Sequence, residues 1–279
     1  MVSSIFTNTP LTQSELRYII RVRKPLFDQK FPLVLMWSEK SGCTTVVQWF
    51  FWQINELENA RNYSSWIHNY ENYVFKKRED YYDELQSSLV NQDKPLIKFV
   101  RNPFQRAVSS YLLLLGNEGI TQPNHFVSKT WPKIRLHFYG SETDSRGISF
   151  RNYLHWLQAN GVAAGDVNNH FAQQYIEGEE HLSPRYVKIE DMANVLATLE
   201  NEAGLPRGPE FLYGKQHQSP YGDKRMSAAD EAFKEGDRNR TKIPNWKSFY
   251  DLDTINMVRD LFSADFSLYE YNTNLDIDA

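Results

Sequence analysis

The sequence predicts an α/β fold, a central parallel sheet flanked by helices, and three recurrences of one pattern point to it. Residues 31–37 (FPLVLMW), 96–100 (LIKFV) and 186–189 (YVKI) are short, largely apolar runs of strand length, as expected of strands buried on both faces. Each is followed by a polar break and then by a segment that reads as helix. Strands alternating with helices are the signature of a parallel sheet.

The elements follow in order. After the first strand, residues 38–45 (SEKSGCTT) are small and polar, and 46–57 read as an aromatic-rich helix. Residues 58–94 look helical and are rich in tyrosine and charge. The second strand, 96–100, is broken by Arg101-Asn102-Pro103, and proline suits the first turn of the helix expected through Leu115. Residues 116–150, with scattered glycine, proline and aromatics, are expected to form an insertion over the sheet edge. The third strand leads through Glu190-Asp191 into a helix to about Ala203, ended by Gly204 and Pro206. Residues 206–245 are polar, of mixed charge and long for a plain connection, which makes them a candidate lid. A last helix is expected over 248–262. No Gly/Ser/Pro-rich linker divides the chain, so residues 1–279 are expected to form a single domain carrying a lid loop at 206–245.

Composition narrows the function. The chain has 279 residues, 31 basic against 35 acidic side chains and a net charge of −4, which argues against a general nucleic-acid binder. Its single cysteine excludes an intramolecular disulfide and any multi-cysteine zinc site, and it fits a reducing compartment. Residues 1–23 lack the basic head and apolar run of a signal peptide, and no apolar run is long enough to span a membrane. A soluble, cytoplasmic protein without a transmembrane segment is the expectation.

A loop between a buried strand and a helix N-terminus is a natural anion site, because free backbone N–H groups converge there and the helix dipole adds positive potential. This loop carries Lys40, Ser41, Gly42, Cys43, Thr44 and Thr45. Gly42 admits close approach of a ligand, Thr44 and Thr45 offer hydroxyls, and Lys40 adds a charge. The loop is P-loop-like but not Walker A, since its lysine precedes the glycine and no glycine opens it. A phosphate site without an obligatory metal is the better reading. The second motif begins at Arg101, at a strand's C-terminal end where open parallel sheets bind ligands. Ser109 follows eight residues on. Arginine and serine together can grip one phosphate, the guanidinium through two parallel hydrogen bonds, and Arg106 is a second cation within reach.

These motifs resemble those of the sulfotransferases that use 3′-phosphoadenosine 5′-phosphosulfate (PAPS). The resemblance rests on Lys40-Ser41-Gly42-Cys43-Thr44-Thr45 and on Arg101-Asn102-Pro103-Phe104-Gln105-Arg106-Ala107-Val108-Ser109-Ser110-Tyr111, each behind an expected strand. The Cys43-Thr44 pair, Asn169-His170-Phe171-Ala172-Gln173-Gln174 and Ala264-Asp265-Phe266-Ser267-Leu268-Tyr269-Glu270-Tyr271 resemble the carbohydrate branch of that superfamily. Ala172 stands where that branch commonly has proline. The resemblance implies transfer of a sulfuryl group from PAPS, without a metal, to a hydroxyl or amine of an acceptor, favouring a glycan or glycoconjugate. It implies that residues 40–45 hold the 5′-phosphosulfate and that Arg101 and Ser109 hold the 3′-phosphate. Lys40 then stabilises the leaving oxygen, and His170 is the candidate general base, with His125, His217 and Glu118 as rivals. Arg238, Arg240 and Lys242 are candidates for a basic lid over the nucleotide, with Arg240 the one assigned to it. The alternatives are an atypical P-loop nucleotide kinase or NTPase, and a catalytically silent relative that binds nucleotide or glycan.

Overall fold

The computed structural model describes residues 11–122, 124–213, 227–239 and 242–277. Its sheet is parallel, with strands β1 (Val34–Trp37), β2 (Leu96–Val100) and β3 (Arg185–Lys188) in the order β1-β2-β3. Val34 pairs with Leu96, Trp37 with Phe99, Ile97 with Arg185 and Val100 with Lys188. The three strands therefore end together, and the loops that leave them open on one edge.

Around the sheet run α1 (Gln13–Arg23), α2 (Cys43–Gln53), α3 (Leu57–Tyr63), α4 (Ile67–Tyr73), α5 (Tyr81–Asn91), α6 (Pro103–Leu114), α7 (Glu118–Thr121), α8 (Phe126–Tyr139), α9 (Phe150–Asn160), α10 (Met192–Glu202), α11 (Leu252–Leu261) and α12 (Ser263–Leu268). One core gathers α1, α2, α5, α10 and the sheet, with Trp49, Phe50 and Phe51 fully buried. Phe31 lies edge-on to Trp49 and Phe50, with ring centroids 5.7 and 5.1 Å apart. A second core joins α6, α8, α9 and α11 around Tyr111, Trp131 and Tyr153. Because α6 starts at the end of β2, it carries the chain from the sheet into this second core.

Several boundaries differ from the sequence reading, each for a local reason. β1 begins at Val34, because Phe31 packs as an aromatic anchor ahead of the ladder. β3 is exposed except at Val187 and half-buried Tyr186, since it is the outer strand of the sheet described; it is not buried on both faces. α2 starts three residues earlier than expected, because Gly42 at φ 75° supplies its N-cap. The sequence reading omitted α1 and α9. Both carry capping boxes, Thr12 with Glu15 and Ser149 with Asn152, which are start signals visible in the sequence. The stretch 116–150 holds the long helix α8, not only irregular insertion.

Lys98, in the middle of the central strand, is fully buried. Its ammonium donates to both carboxylate oxygens of Glu179 at 2.5 Å, to the Gln174 carbonyl at 2.8 Å and to the Tyr269 hydroxyl at 2.7 Å. Burial lowers the lysine to about 8 against the opposing pull of Glu179. Removing one partner of such a pair strands a buried charge. Glu179→Ala is therefore expected to cost about 3–5 kcal/mol of stability in urea titration; a loss below about 1 kcal/mol would contradict this account.

Candidate functional site

The site lies at the ends of β1 and β2. Between β1 and α2 the backbone turns twice through the left-handed region, at Lys40 (φ 70°) and at Gly42 (φ 75°). A lysine at positive φ is uncommon, and such conformations persist where the surroundings enforce them. A Cβ on Gly42 would come within 2.6 Å of the end of the Met192 side chain, so close packing against α10 also selects glycine. Among the described residues, the backbone N–H groups of Cys43, Thr44 and Thr45 find no acceptor. They open the N-terminus of an eleven-residue helix, a suitable place for an anion.

The side chains around this opening divide into those that build it and those that face it. Ser41 builds it: its hydroxyl is buried and donates to the Gln174 side-chain oxygen at 2.8 Å. Its backbone N–H is engaged as well, donating to the Ser38 carbonyl at 3.2 Å, so Ser41 shapes the loop. Arg106 also builds it. Its buried guanidinium donates to the carbonyls of Glu39, Ala172 and Asn169 at 3.0, 2.7 and 3.2 Å. Arg101 brings the two motifs together, donating from its guanidinium to the Lys40 carbonyl at 3.2 Å. Half-buried Ser109 lies on α6, next to Ser110, whose hydroxyl donates to the His170 carbonyl at 2.6 Å. Thr45 is buried, while Cys43 and Thr44 are half-buried.

Positive charge is concentrated here. Burial first, then repulsion from Arg238, Arg101 and Arg106 against a smaller opposing effect of Cys43, lowers Lys40 to about 8. Lys40 is thus a cation at neutral pH that a bound anion would stabilise further. Arg238 belongs to the described part of the candidate lid, whose backbone is anchored by its own N–H to the Leu115 carbonyl and by Phe233 to Ile148. Lys242 is exposed. Arg240 and His217 lie outside the described residues. His125 caps α8 by accepting from the Val127 N–H, and Glu118 falls in α7.

Two histidines approach the loop from different elements. His170 stacks on Phe126, with ring centroids 4.4 Å apart, and its Nδ1 lies 2.8 Å from the Asn168 side-chain oxygen. Burial, then Lys40, Arg106, His125 and His68, drive it down to about 3, so the ring is neutral at physiological pH. His68, on α4, was not singled out by the sequence reading. Its Nε2 is 3.5 Å from the Thr44 hydroxyl and its Nδ1 is 2.5 Å from the buried Glu71 carboxylate, which Lys76 grips at 2.5 Å on the other side. The available signal was the His68-x-x-Glu71 spacing, which puts both side chains on one helix face.

All of this is held by Gln174. Its buried carboxamide oxygen accepts from Ser41, from Ser38 at 3.3 Å and from the Arg101 N–H at 2.8 Å. Its amide nitrogen donates to the Arg101 carbonyl at 2.8 Å and to Asp265 at 3.3 Å. Asp265 also accepts the backbone N–H groups of Gln174 and Tyr175, and the Tyr271 hydroxyl bonds the Val100 carbonyl and Glu190. The two later motifs of the sequence are thus the foundation on which the first two rest.

A sequence model described as the Sulfotransferase family matches residues 26–272, a span containing every motif just described. The chain belongs to the sulfotransferase family. No curated protein and no solved structure matches it. Membership gives the reaction in general terms, transfer of a sulfuryl group to an acceptor, and the small parallel sheet with flanking helices is consistent with the nucleotide-binding fold of sulfotransferases. Among the described residues, no helix is long and apolar enough to cross a membrane, and no three His, Cys, Asp or Glu side chains gather as a metal site.

The hub makes a testable demand. Gln174→Leu removes the acceptor shared by the Ser41 hydroxyl and the Arg101 N–H, and the donor to the Arg101 carbonyl, while Ser41 keeps the Ser38 hydroxyl at 3.0 Å. Each backbone group thereby left unsatisfied costs about 1–3 kcal/mol. The variant should lose stability in urea, and amide exchange across residues 38–45 should accelerate. Unchanged exchange in that loop would show that Gln174 does not hold it.

Proposed function

We propose that this sulfotransferase uses PAPS as donor and transfers its sulfuryl group to a hydroxyl (or amine) of an acceptor, a carbohydrate or glycoconjugate. The reading is carried by one juxtaposition: the Arg101 guanidinium bonds the Lys40 carbonyl, so the two anion-binding motifs form one surface. A nucleotide with phosphate groups at both its 3′ and 5′ positions fits such a double site. The glycan preference rests on the resemblance of the motifs at Cys43-Thr44 and residues 169–174 and 264–271. The reducing environment suggested by a single cysteine supports a cytoplasmic location.

The residues then take the following roles. The N–H groups of Cys43, Thr44 and Thr45 receive the 5′-phosphosulfate at the positive end of α2, with Gly42 allowing close approach. Arg101 and the Ser109 hydroxyl hold the 3′-phosphate, with Arg240 as a further cation toward the nucleotide. Lys40 meets the negative charge that grows on the leaving phosphate oxygen. Because attack and departure run roughly in line, as in phosphoryl transfer, fixed charge and positioning carry most of the catalysis. Lys40 interacts most strongly with charge that exists in the transition state, so it acts on turnover more than on affinity.

Lys40→Ala should lower turnover about a hundredfold or more with a smaller change in donor KM, and near-normal turnover would remove Lys40 from this role. Calorimetry with adenosine 3′,5′-bisphosphate and AMP tests the double site. The wild type should prefer the bisphosphate, and Arg101→Ala should lose the preference. Equal affinity of the wild type for both, or magnesium-dependent ATP turnover, would overturn the PAPS reading. Affinity for the bisphosphate should also weaken as pH rises past about 8, where free Lys40 gives up its proton. Lys40→Met should abolish that dependence.

A further inference from the structure

We propose that His68, oriented by Glu71, is the group that takes the proton from the acceptor, and that the pair forms the acceptor side of the site. The inference rests on the sulfotransferase reading above and names the residue that completes it.

The geometry starts with α4. Its one-turn spacing places His68 and Glu71 side by side, and the buried carboxylate of Glu71 accepts from His68 Nδ1. A hydrogen bond at Nδ1 fixes the tautomer and leaves Nε2 as the reactive nitrogen. Nε2 points at the start of α2, 3.5 Å from the Thr44 hydroxyl, beside the three N–H groups without acceptors. Lys76, fully sequestered with Glu71, bonds that carboxylate and the Lys24 carbonyl. It keeps Glu71 ionised and fixed, so Glu71 is pushed down to about 2, with Lys76 and His68 outweighing the effect of burial. A base held by a buried carboxylate that is itself locked in place is the arrangement by which imidazoles are positioned for proton transfer.

The groups facing His68 set its basicity. Burial disfavours its charge, but the hydrogen bonds and charges of Cys43 on α2 and Glu71 on its own helix outweigh this and push it up to about 10. Lys76 bonds the other side of Glu71, and the charge of His68 is felt at His170 as a minor repulsion. His170 differs in each respect: its Nδ1 partner is a neutral amide, and Lys40 and Arg106 oppose its protonation. Of the two, His68 is the stronger proton acceptor. Trp66 adds a surface for the acceptor. Its exposed ring lies 5.1 Å from the His68 ring, a flat apolar face at the mouth of the site.

In the step this implies, the acceptor oxygen bonds to sulfur while its proton passes to His68 Nε2. The bond from sulfur to the 5′-phosphate oxygen breaks, its electron pair stays on that oxygen beside Lys40, and adenosine 3′,5′-bisphosphate leaves.

The test uses the full chain, labelled PAPS and any acceptor that the wild type sulfates. His68→Gln should lower kcat by about a hundredfold or more while leaving affinity for adenosine 3′,5′-bisphosphate within about threefold, and His170→Gln should lower kcat less. At saturating donor, wild-type turnover should climb from neutral pH up toward about 10, because His68 is largely protonated at neutral pH and only the neutral ring accepts a proton. Glu71→Gln removes an acceptor that favours the charged ring, so the climb should move to lower pH by about one unit or more. The midpoint of the His68 signal in carbon-13 histidine spectra should move with it. Full turnover in His68→Gln, or a pH profile unmoved in Glu71→Gln, overturns the assignment, and a larger loss in His170→Gln transfers the role to that residue. Absence of sulfuryl transfer by the wild type to every acceptor offered would instead overturn the function reading, and this inference with it.

Discussion

The buried carboxamide of Gln174 is the constraint from which the site follows. One side chain with two acceptor positions and two donors reaches the β1 loop through Ser38 and Ser41, and the end of β2 through both backbone groups of Arg101. Its backbone carbonyl takes the ammonium of Lys98 and the guanidinium of Arg23. A carboxamide can do this because it is neutral, so burial costs only the hydrogen bonds it would otherwise leave unmade. Arg106 reinforces the arrangement by tying the Glu39 carbonyl to the segment at 169–172.

Holding the loop this way concentrates like charges. Burial first, and then repulsion from Arg238, Arg101 and Arg106, lowers Lys40, and a helix N-terminus opens beside it. Negative charge entering such a site would relieve that repulsion. The strain is local, because Glu39, Glu71 and Glu179 engage Arg23, Lys76 and Lys98 below it. The positive φ of Lys40 belongs to the same economy of form, since it turns the backbone so that the carbonyl reaches Arg101.

Much of this was legible beforehand. Apolar runs marked β1 and β2 because residues such as Val34, Leu35, Ile97 and Phe99 have no other use than burial. The placing of Lys40, Gly42 and Arg101 at the strand ends was legible because each follows closely on an apolar strand-length run. Ser41 and Arg106 could not be sorted in this way. A serine or an arginine in a phosphate-binding motif looks the same whether it faces the ligand or supports the loop, and only its partners decide. His68 was missed because it stands in a segment dense with tyrosine and charge, where nothing local distinguishes a histidine with a buried carboxylate from one facing water.

The sequence alone determined the fold class, the family and the positions of the two strand-end motifs, because these depend on short-range patterns: alternation of strand and helix, a glycine where the backbone must turn, an arginine and serine eight residues apart. The tertiary structure decided which side chains face the opening and which are spent building it, which of two histidines is backed by a carboxylate, and how far burial and neighbouring cations move Lys40. Those properties depend on contacts between residues as far apart as Ser41 and Gln174, or Lys98 and Tyr269. Hydrogen bonding and charge act through space, and no local pattern in the chain records the distance between such groups.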